Sequence, residues 1–375
     1  MAFTFGFTND DLSDDDLESN TVTNDSNLQS KPTTTYKLDT YEVKSEHLPK
    51  LHDMNTLLKS LEGIRITFDN YTTPNQNIIY RRELFDVKHQ IMIEDCDEKI
   101  NSNLVVKDEL KNIIIDKNDS DVQNNVYEGG FKSWECSYDT IDEINELINE
   151  YNNGNNDVLN IFNSSILDFG CGTALPSSYI LMKKFEFKNT KPMKLILSDF
   201  NHDVLRLVTL PNLIINWAST LSIQDLHSLT TDEINTRFEN NEVFVTKKLI
   251  DEFIKQLNEY YIEIKFISGS WGKEFNTLVS RFNINFMISS ETIYSPITLP
   301  IVAESIKIIL SESNPDDKSS MCLLAAKNIY FGVGGSIIEF LNHFKSIIDS
   351  NFKIEVKEIN DSQLKRSLLL IQYNK

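Results

Sequence analysis

Residues 127–375 predict a doubly wound, mostly parallel α/β sheet. Short apolar runs alternate there with amphipathic stretches of helical period. The first run ends in a glycine turn, Asp168-Phe-Gly-Cys-Gly-Thr-Ala174, that leads into a helix. The second, Leu195-Ile-Leu-Ser-Asp199-Phe-Asn201, ends on an acidic residue. Ligands of open α/β sheets bind at the carboxyl ends of the strands, where both motifs fall.

Strands are expected at Ser165–Phe169, Leu195–Ser198, Ile264–Ser268, Phe286–Ser289, Met321–Ala326, Phe352–Val356 and Leu368–Tyr373. Helices are expected at Tyr138–Tyr151, from about Ser177, and at 202–209, 298–311 and Ser336–Ser350. The polar tract Asn152–Asp157 reads as a loop. The segment 211–262 exceeds an ordinary crossover and reads as an insertion with extra helices, one at 247–259. Upstream, residues 36–126 form an accessory region packed on the α/β domain. In it, Ile64–Phe68 and Ile78–Tyr80 read as strands around a turn at Pro74, and the rest has no legible fold. Residues 1–35 read as a disordered acidic leader, with Phe3, Phe5 and Phe7 spaced for a short strand or a docking peptide.

Composition narrows the function classes. At 375 residues and 40% hydrophobic content the chain can bury a sizeable core. No apolar run reaches the roughly 18 residues of a membrane span. The first residues lack the basic stretch of a secretory signal or transit peptide. Cys96, Cys136, Cys171 and Cys322 lie far apart, which speaks against a disulfide framework or structural zinc and for a reduced intracellular compartment. A net charge of −20, with seven acidic and no basic residues in 1–30, disfavours nucleic acid as a direct partner and suits a basic protein.

The glycine turn lacks the third glycine of a dinucleotide fingerprint, since position 175 is Leu175, and no P-loop Gly-Lys-Ser/Thr comes after it. Asp168, two before Gly170, suits an amino-acid-bearing cofactor. Asp199 can accept from both ribose hydroxyls, although its 29-residue distance from Gly170 exceeds the usual spacing, and Asn201 is expected to cap the next helix. Ser268-Gly269-Ser270-Trp271 closes the third strand, where Trp271 would stack on an adenine and Ser270 would bond its edge. Ser289-Ser290-Glu291-Thr-Ile-Tyr294 comes after the fourth strand, where Glu291 would orient or deprotonate an acceptor. The glycines of Ala325-Ala-Lys-Asn328-Ile-Tyr330-Phe-Gly-Val-Gly-Gly335 read as a loop that can approach a substrate backbone.

With Tyr127-Glu-Gly-Gly-Phe-Lys-Ser133-Trp134-Glu135-Cys136-Ser137-Tyr-Asp139, these motifs resemble the protein-histidine N-methyltransferases of the methyltransferase-like group. They are most similar to the branch that methylates a large-subunit ribosomal protein. The resemblance covers about 127–375, and more loosely Tyr80–Phe85 and Phe3–Phe7. It implies a class I, seven-stranded, Rossmann-like fold and S-adenosyl-L-methionine as cofactor. The implied acceptor is one histidine of large-subunit ribosomal protein number three, in the setting of ribosome biogenesis and translation. An enzyme of this kind is expected in the cytoplasm and nucleus. By position, Ser133 to Ser137, Asp168, Gly170, Asp199, Phe200, Asn201, Gly269, Ser270, Trp271 and Ser290 would line the cofactor. Two residues depart from the pattern: Ala174 stands for the usual third glycine, and Ser270 for an acidic group near the adenine.

Neutral imidazole, with a reference pKa of about 6.5, needs no strong base to attack a sulfonium methyl. Glu291, Asn328 and Tyr330 are the candidates for orienting it. A lysine acceptor, with a pKa near 10.4, would need a base or proton exit. A non-catalytic chaperone for a ribosomal protein is the third possibility.

Overall fold

The computed structural model describes residues 36–96, 110, 111, 114, 126–155, 158–233, 235–312, 319–359 and 364–374, with the side chains of 95 and 96 excepted. The acidic leader and its phenylalanines, most of 97–125, and the end of the loop at Asn152–Asp157 lie outside the described residues.

Eleven described strands form two sheets: β1 (Lys50–His52), β2 (Arg65–Thr72), β3 (Ile78–Arg82), β4 (Ser165–Phe169), β5 (Met193–Asp199), β6 (Glu242–Phe244), β7 (Ile262–Ser268), β8 (Phe286–Ser290), β9 (Ser320–Lys327), β10 (Phe352–Ile359) and β11 (Arg366–Tyr373). The larger sheet has the order β1-β7-β5-β4-β8-β9-β11-β10. Its five inner strands β7, β5, β4, β8 and β9 are parallel, and β11 runs antiparallel to both neighbours. Setting β1 aside, the strands occur in the order third, second, first, fourth, fifth, seventh, sixth, with the seventh reversed. This is the class I methyltransferase arrangement that the motifs imply.

The inner strands are unbroken apolar runs because helices cover both faces. Glu135–Asn152, Leu175–Glu186, Leu210–Ala218 and Lys247–Glu259 pack on one face with Ile166, Leu195, Leu197 and Phe266. Lys273–Val279, Leu299–Glu312 and Ile337–Ile347 pack on the other with Leu167, Ile196, Met287 and Leu324. One run of consecutive residues thus feeds two cores, as the two-residue period of a strand requires.

Residues 36–96 are woven into this frame. β1 extends the large sheet antiparallel to β7, with Leu51 opposite Ile267. β2 is the centre of a second sheet, β3-β2-β6, so the segment after residue 211 supplies one of its edges. The turn at Pro74 is held by Asp142, which accepts from Thr73 Oγ1, from Asn77 Nδ2 at 2.7 Å and from the Asn75 amide at 3.1 Å. Downstream of β3, where the sequence had no legible fold, a helix spans Leu84–Cys96.

The helix expected at 202–209 continues to Ala218 through a π-turn at Leu205–Thr209, with Pro211 in the first turn of its last section. Pro211 does not end it: proline removes one helix donor, and Leu207 O, four residues before it, accepts instead from Arg82 Nη1 at 2.8 Å.

Candidate active site

β4 delivers Asp168, Phe169 and Gly170 to the carboxyl edge of the sheet, and the chain turns sharply there. Gly170 has φ +76°, and a Cβ built on it would come within 3.0 Å of Thr292 Cγ2 and Trp271 Cζ2. A side chain at this position would be strained by the backbone and crowded by both neighbours. The Cys171 amide donates to Ser198 O at 2.7 Å and ties the turn to β5. Ala174, which stands for the usual third glycine, is fully buried with φ +50°, the left-handed conformation that a glycine adopts without steric cost.

Asp199, at the end of β5, accepts from the Gly172 amide at 3.1 Å and the Asn201 amide at 2.9 Å. Burial nevertheless pushes its carboxyl up to about 7, the two amides opposing the rise. Asp168 is also pushed up to about 7 by burial, against a 2.7 Å hydrogen bond from Ser177 Oγ. Asn201 does not cap the next helix: its Nδ2 donates to Val126 O at 2.8 Å, drawing the side chain away from the helix amides.

The Gly269–Trp271 turn after β7 is covered by the segment before β1. The Ser270 amide donates to His47 O at 2.8 Å, and His47 lies against Phe200 with ring centres 5.0 Å apart. Trp271 stacks on Phe169 at 4.5 Å, so only its other face is open to a ligand.

At the end of β8, Glu291 adopts φ +58°, and its amide donates to Ala325 O at 2.9 Å. A non-glycine residue in this region signals a backbone held by its surroundings. Oε2 accepts the Tyr330 hydroxyl. Oε1 is buried without a hydrogen-bond partner and faces Lys327 Nζ at 3.9 Å. Burial raises the Glu291 carboxyl above its ordinary value; Tyr330, Lys327 and the Cys136 thiol pull it back down.

These elements enclose one pocket. Of the residues expected from sequence, Trp134, Ser137, Asp168, Gly170, Asp199, Phe200, Gly269, Ser270, Trp271, Ser290 and Glu291 line it. The others are not in its lining. Ser133 Oγ is 3.3 Å from Thr173 Oγ1, Glu135 pairs with Lys327 at 3.0 Å, and Cys136 is buried behind Glu291. Asn201 is held by Val126 O. Among the three orienting candidates, Glu291 reaches the pocket, Tyr330 supports it, and the Asn328 side chain is engaged by Ser367 Oγ at 2.7 Å.

Sequence reasoning missed Tyr41, Glu128 and Lys132 in the lining. Glu128 and Lys132 lie inside the quoted Tyr127–Asp139 motif, so the signal was present but carried no assignment. Tyr41 comes from the accessory region and reaches the pocket only through tertiary packing.

Over its full length the chain is 38% identical to histidine protein methyltransferase 1 of Saccharomyces cerevisiae, covering 100% of this chain and 99% of that protein. The chain belongs to the histidine protein methyltransferase 1 family. The family's Schizosaccharomyces pombe member is 31% identical over 77% of this chain and 75% of its own length. The chain is thus a methyltransferase, and a methyl donor of the S-adenosylmethionine type goes with that family and fold. No protein-family model matches the sequence. Among solved structures, the rRNA methyltransferase aviRa of Streptomyces viridochromogenes matches with a TM-score of 0.35 at 9% identity, over 73% of this chain and 94% of that one. An rRNA methylase from Streptococcus thermophilus matches with a TM-score of 0.31 at 10% identity, over 65% and 98%. Likeness at this level says nothing of the family's substrate.

Proposed function

We propose that this enzyme transfers a methyl group from S-adenosyl-L-methionine to an imidazole nitrogen of a histidine in large-subunit ribosomal protein number three. One observation carries the reading at the acceptor end: Glu291 lines the pocket, and its buried Oε1 receives no hydrogen bond, only the charge of Lys327 at 3.9 Å. A buried acceptor without a donor is costly, and an imidazole N–H supplies the donor.

The pocket also fits the cofactor. Asp168, Asp199 and Glu128 contribute three carboxyl groups to its lining, which suits a ligand carrying a sulfonium and an ammonium. Ser290 Oγ is a second buried polar atom without a partner. Asp199 would take the ribose hydroxyls, Trp271 and Ser270 the adenine, and Trp134, Ser137 and the Gly170 turn the methionine end. The bound cofactor supplies an electrophilic methyl group.

The remaining work falls to the chain's own residues. Glu291 Oε1 accepts the N–H of the acceptor imidazole, which selects one tautomer and leaves the other nitrogen's lone pair free to attack. As that nitrogen alkylates, the ring gains positive charge beside a fixed carboxylate, and this favours the transition state over the ground state. Tyr330 and Lys327 favour the ionised form of Glu291, opposing the burial that raises its carboxyl. The methylated ring then releases its N–H proton toward Glu291 or solvent.

The charge of −20 supports a basic protein as acceptor, with no direct contact to nucleic acid. The acceptor would be met in the cytoplasm or nucleus. To test the reading, enzyme, methyl-labelled S-adenosylmethionine and the purified ribosomal protein are incubated, and the labelled residue is identified by mass spectrometry. One methylated histidine is expected, and it is lost with Glu291→Ala. Label on lysine, or none on this acceptor, would overturn it.

A further inference from the structure

Between β9 and the Ile337–Ile347 helix the chain makes a tight hairpin. Ile329 bridges to Ser336, the Tyr330 amide donates to Gly335 O at 2.9 Å, and the Gly334 amide donates to Tyr330 O at 2.9 Å. Its base is locked to the segment after β8, where the Gly335 amide donates to Tyr294 O at 2.9 Å.

The hairpin has opposite characters at its two ends. Tyr330 points inward, is buried, and bonds Glu291. Its neighbours point outward: Phe331 is 78% exposed, Ile329 53% and Val333 46%. Two further apolar side chains flank it. Ile297, 72% exposed, comes directly after Pro296, whose Cγ lies 3.1 Å from a Cβ built on Gly334. Ile338, 67% exposed, opens the helix that the hairpin leads into. Thr298, next to Ile297, lines the pocket itself. Solvated apolar side chains grouped around a functional opening mark an interaction surface.

We infer that this hairpin, with Ile297 and Ile338, is the platform on which the acceptor polypeptide docks, through apolar side chains that flank its target histidine. The inference rests on the methyl-transfer reading above and adds the acceptor's recognition to it. Continuity with the pocket decides the occupant: Tyr294 and Thr298 line it, the hairpin base is bonded to Tyr294 O, and Ile297 adjoins Thr298, so a chain whose histidine reaches Glu291 finds this surface beside the opening. An anionic lipid surface is disfavoured by the charge of −20. Docking and chemistry share one element, since the hairpin that presents Phe331 also carries the hydroxyl that holds Glu291.

The test uses the full chain, methyl-labelled S-adenosylmethionine, and a dilution series of lysate from cells lacking the enzyme as acceptor source. Phe331→Ser/Val333→Ser is compared with wild type. The lysate concentration for half-maximal rate should rise about tenfold or more, the scale expected for losing two buried apolar contacts. The maximal rate, the cofactor affinity by calorimetry and the thermal midpoint should stay near wild type, and Phe331→Leu should restore most of the loss. An unchanged half-maximal concentration overturns the inference. So does a shift from dimer to monomer in sedimentation without a change in that concentration, since the face would then join two copies of the chain. The identity of the labelled residue judges the methyl-transfer reading separately. A wild-type enzyme that binds the cofactor and labels nothing overturns both.

Discussion

Tyr330 donates its hydroxyl hydrogen to Oε2 of Glu291, 39 residues earlier in the chain. Adjacency of the parallel strands β8 and β9 brings the two together. Burial raises the Glu291 carboxyl, and this hydrogen bond is the largest influence lowering it again. Tyr330→Phe removes that influence, so Glu291 should protonate at higher pH and the ionised form should be scarcer at any given pH. The acidic limb of kcat/KM against pH should move upward, because the lost hydrogen bond favoured the ionised carboxylate. Rate profiles from about pH 5 to 9 check this. An unmoved limb would show that Tyr330 does not tune Glu291.

Asp168 and Asp199 predict an unusual pH dependence of stability. Burial holds both carboxyls near 7 in the folded enzyme, against 3.8 ordinarily. Between about pH 4 and 7 the folded state therefore keeps protons that the unfolded chain has released. Their stabilisation is complete below the unfolded value and is lost as pH rises through about 7. Denaturant midpoints of the cofactor-free enzyme should fall across that window. Asp168→Asn, which can still accept from Ser177, should flatten the fall, and an equally steep variant would refute the assignment.

The catalytic frame was legible because its signals are local. The glycine turn, the acidic end of β5 and the period-two apolar runs each occupy a few consecutive residues, and the strands fell where those runs predicted. The small β3-β2-β6 sheet was only half legible, because β6 lies more than 150 residues after β2 and pairs over three residues. Tyr41 was invisible for the same reason. Asn201 failed differently: its type and place suit a helix cap, but Val126 O competes for its amide. Local capping rules do not register a partner 75 residues away.

The buried pair Glu94–Arg206 offers a test of stability outside the pocket. Both guanidinium Nη atoms donate to the carboxylate at 2.8 Å, and Gln90 Nε2 adds a bond to Glu94 at 2.7 Å. Arg206 sits in the π-turn, three residues before Thr209, whose Oγ1 donates to Gly172 O at 2.6 Å. Arg206→Met takes the bidentate partner from the buried Glu94 and leaves it the Gln90 bond and the charge of Arg82, which should cost about 3 kcal/mol. Urea unfolding measures it. Adding Glu94→Leu should recover part of the loss, because the stranded charge is then gone. A double variant with the sum of the two single losses would mean that the pair is not coupled.

Gly335 and Gly332 lie three residues apart in the hairpin and should respond oppositely to a methyl group. A Cβ on Gly335 would fall 2.1 Å from Ile293 O and 2.6 Å from Tyr294 C, an overlap no rotamer can relieve. Gly335→Ala must push the hairpin off the post-β8 segment, breaking the Gly335–Tyr294 bond and carrying Tyr330 away from Glu291. Turnover should fall at least as far as in Tyr330→Phe, roughly tenfold or more by the hydrogen-bond scale, with cofactor affinity little changed. Gly332, at φ +81°, has nothing within 4 Å of its built Cβ. Gly332→Ala meets only the backbone penalty of a left-handed residue, about 1–2 kcal/mol, and should keep near-normal turnover. Steady-state kinetics with calorimetry of cofactor binding separates the two. Equal losses in both variants would assign the effect to hairpin conformation in general, and an active Gly335→Ala would break the structural link between the hairpin base and Glu291.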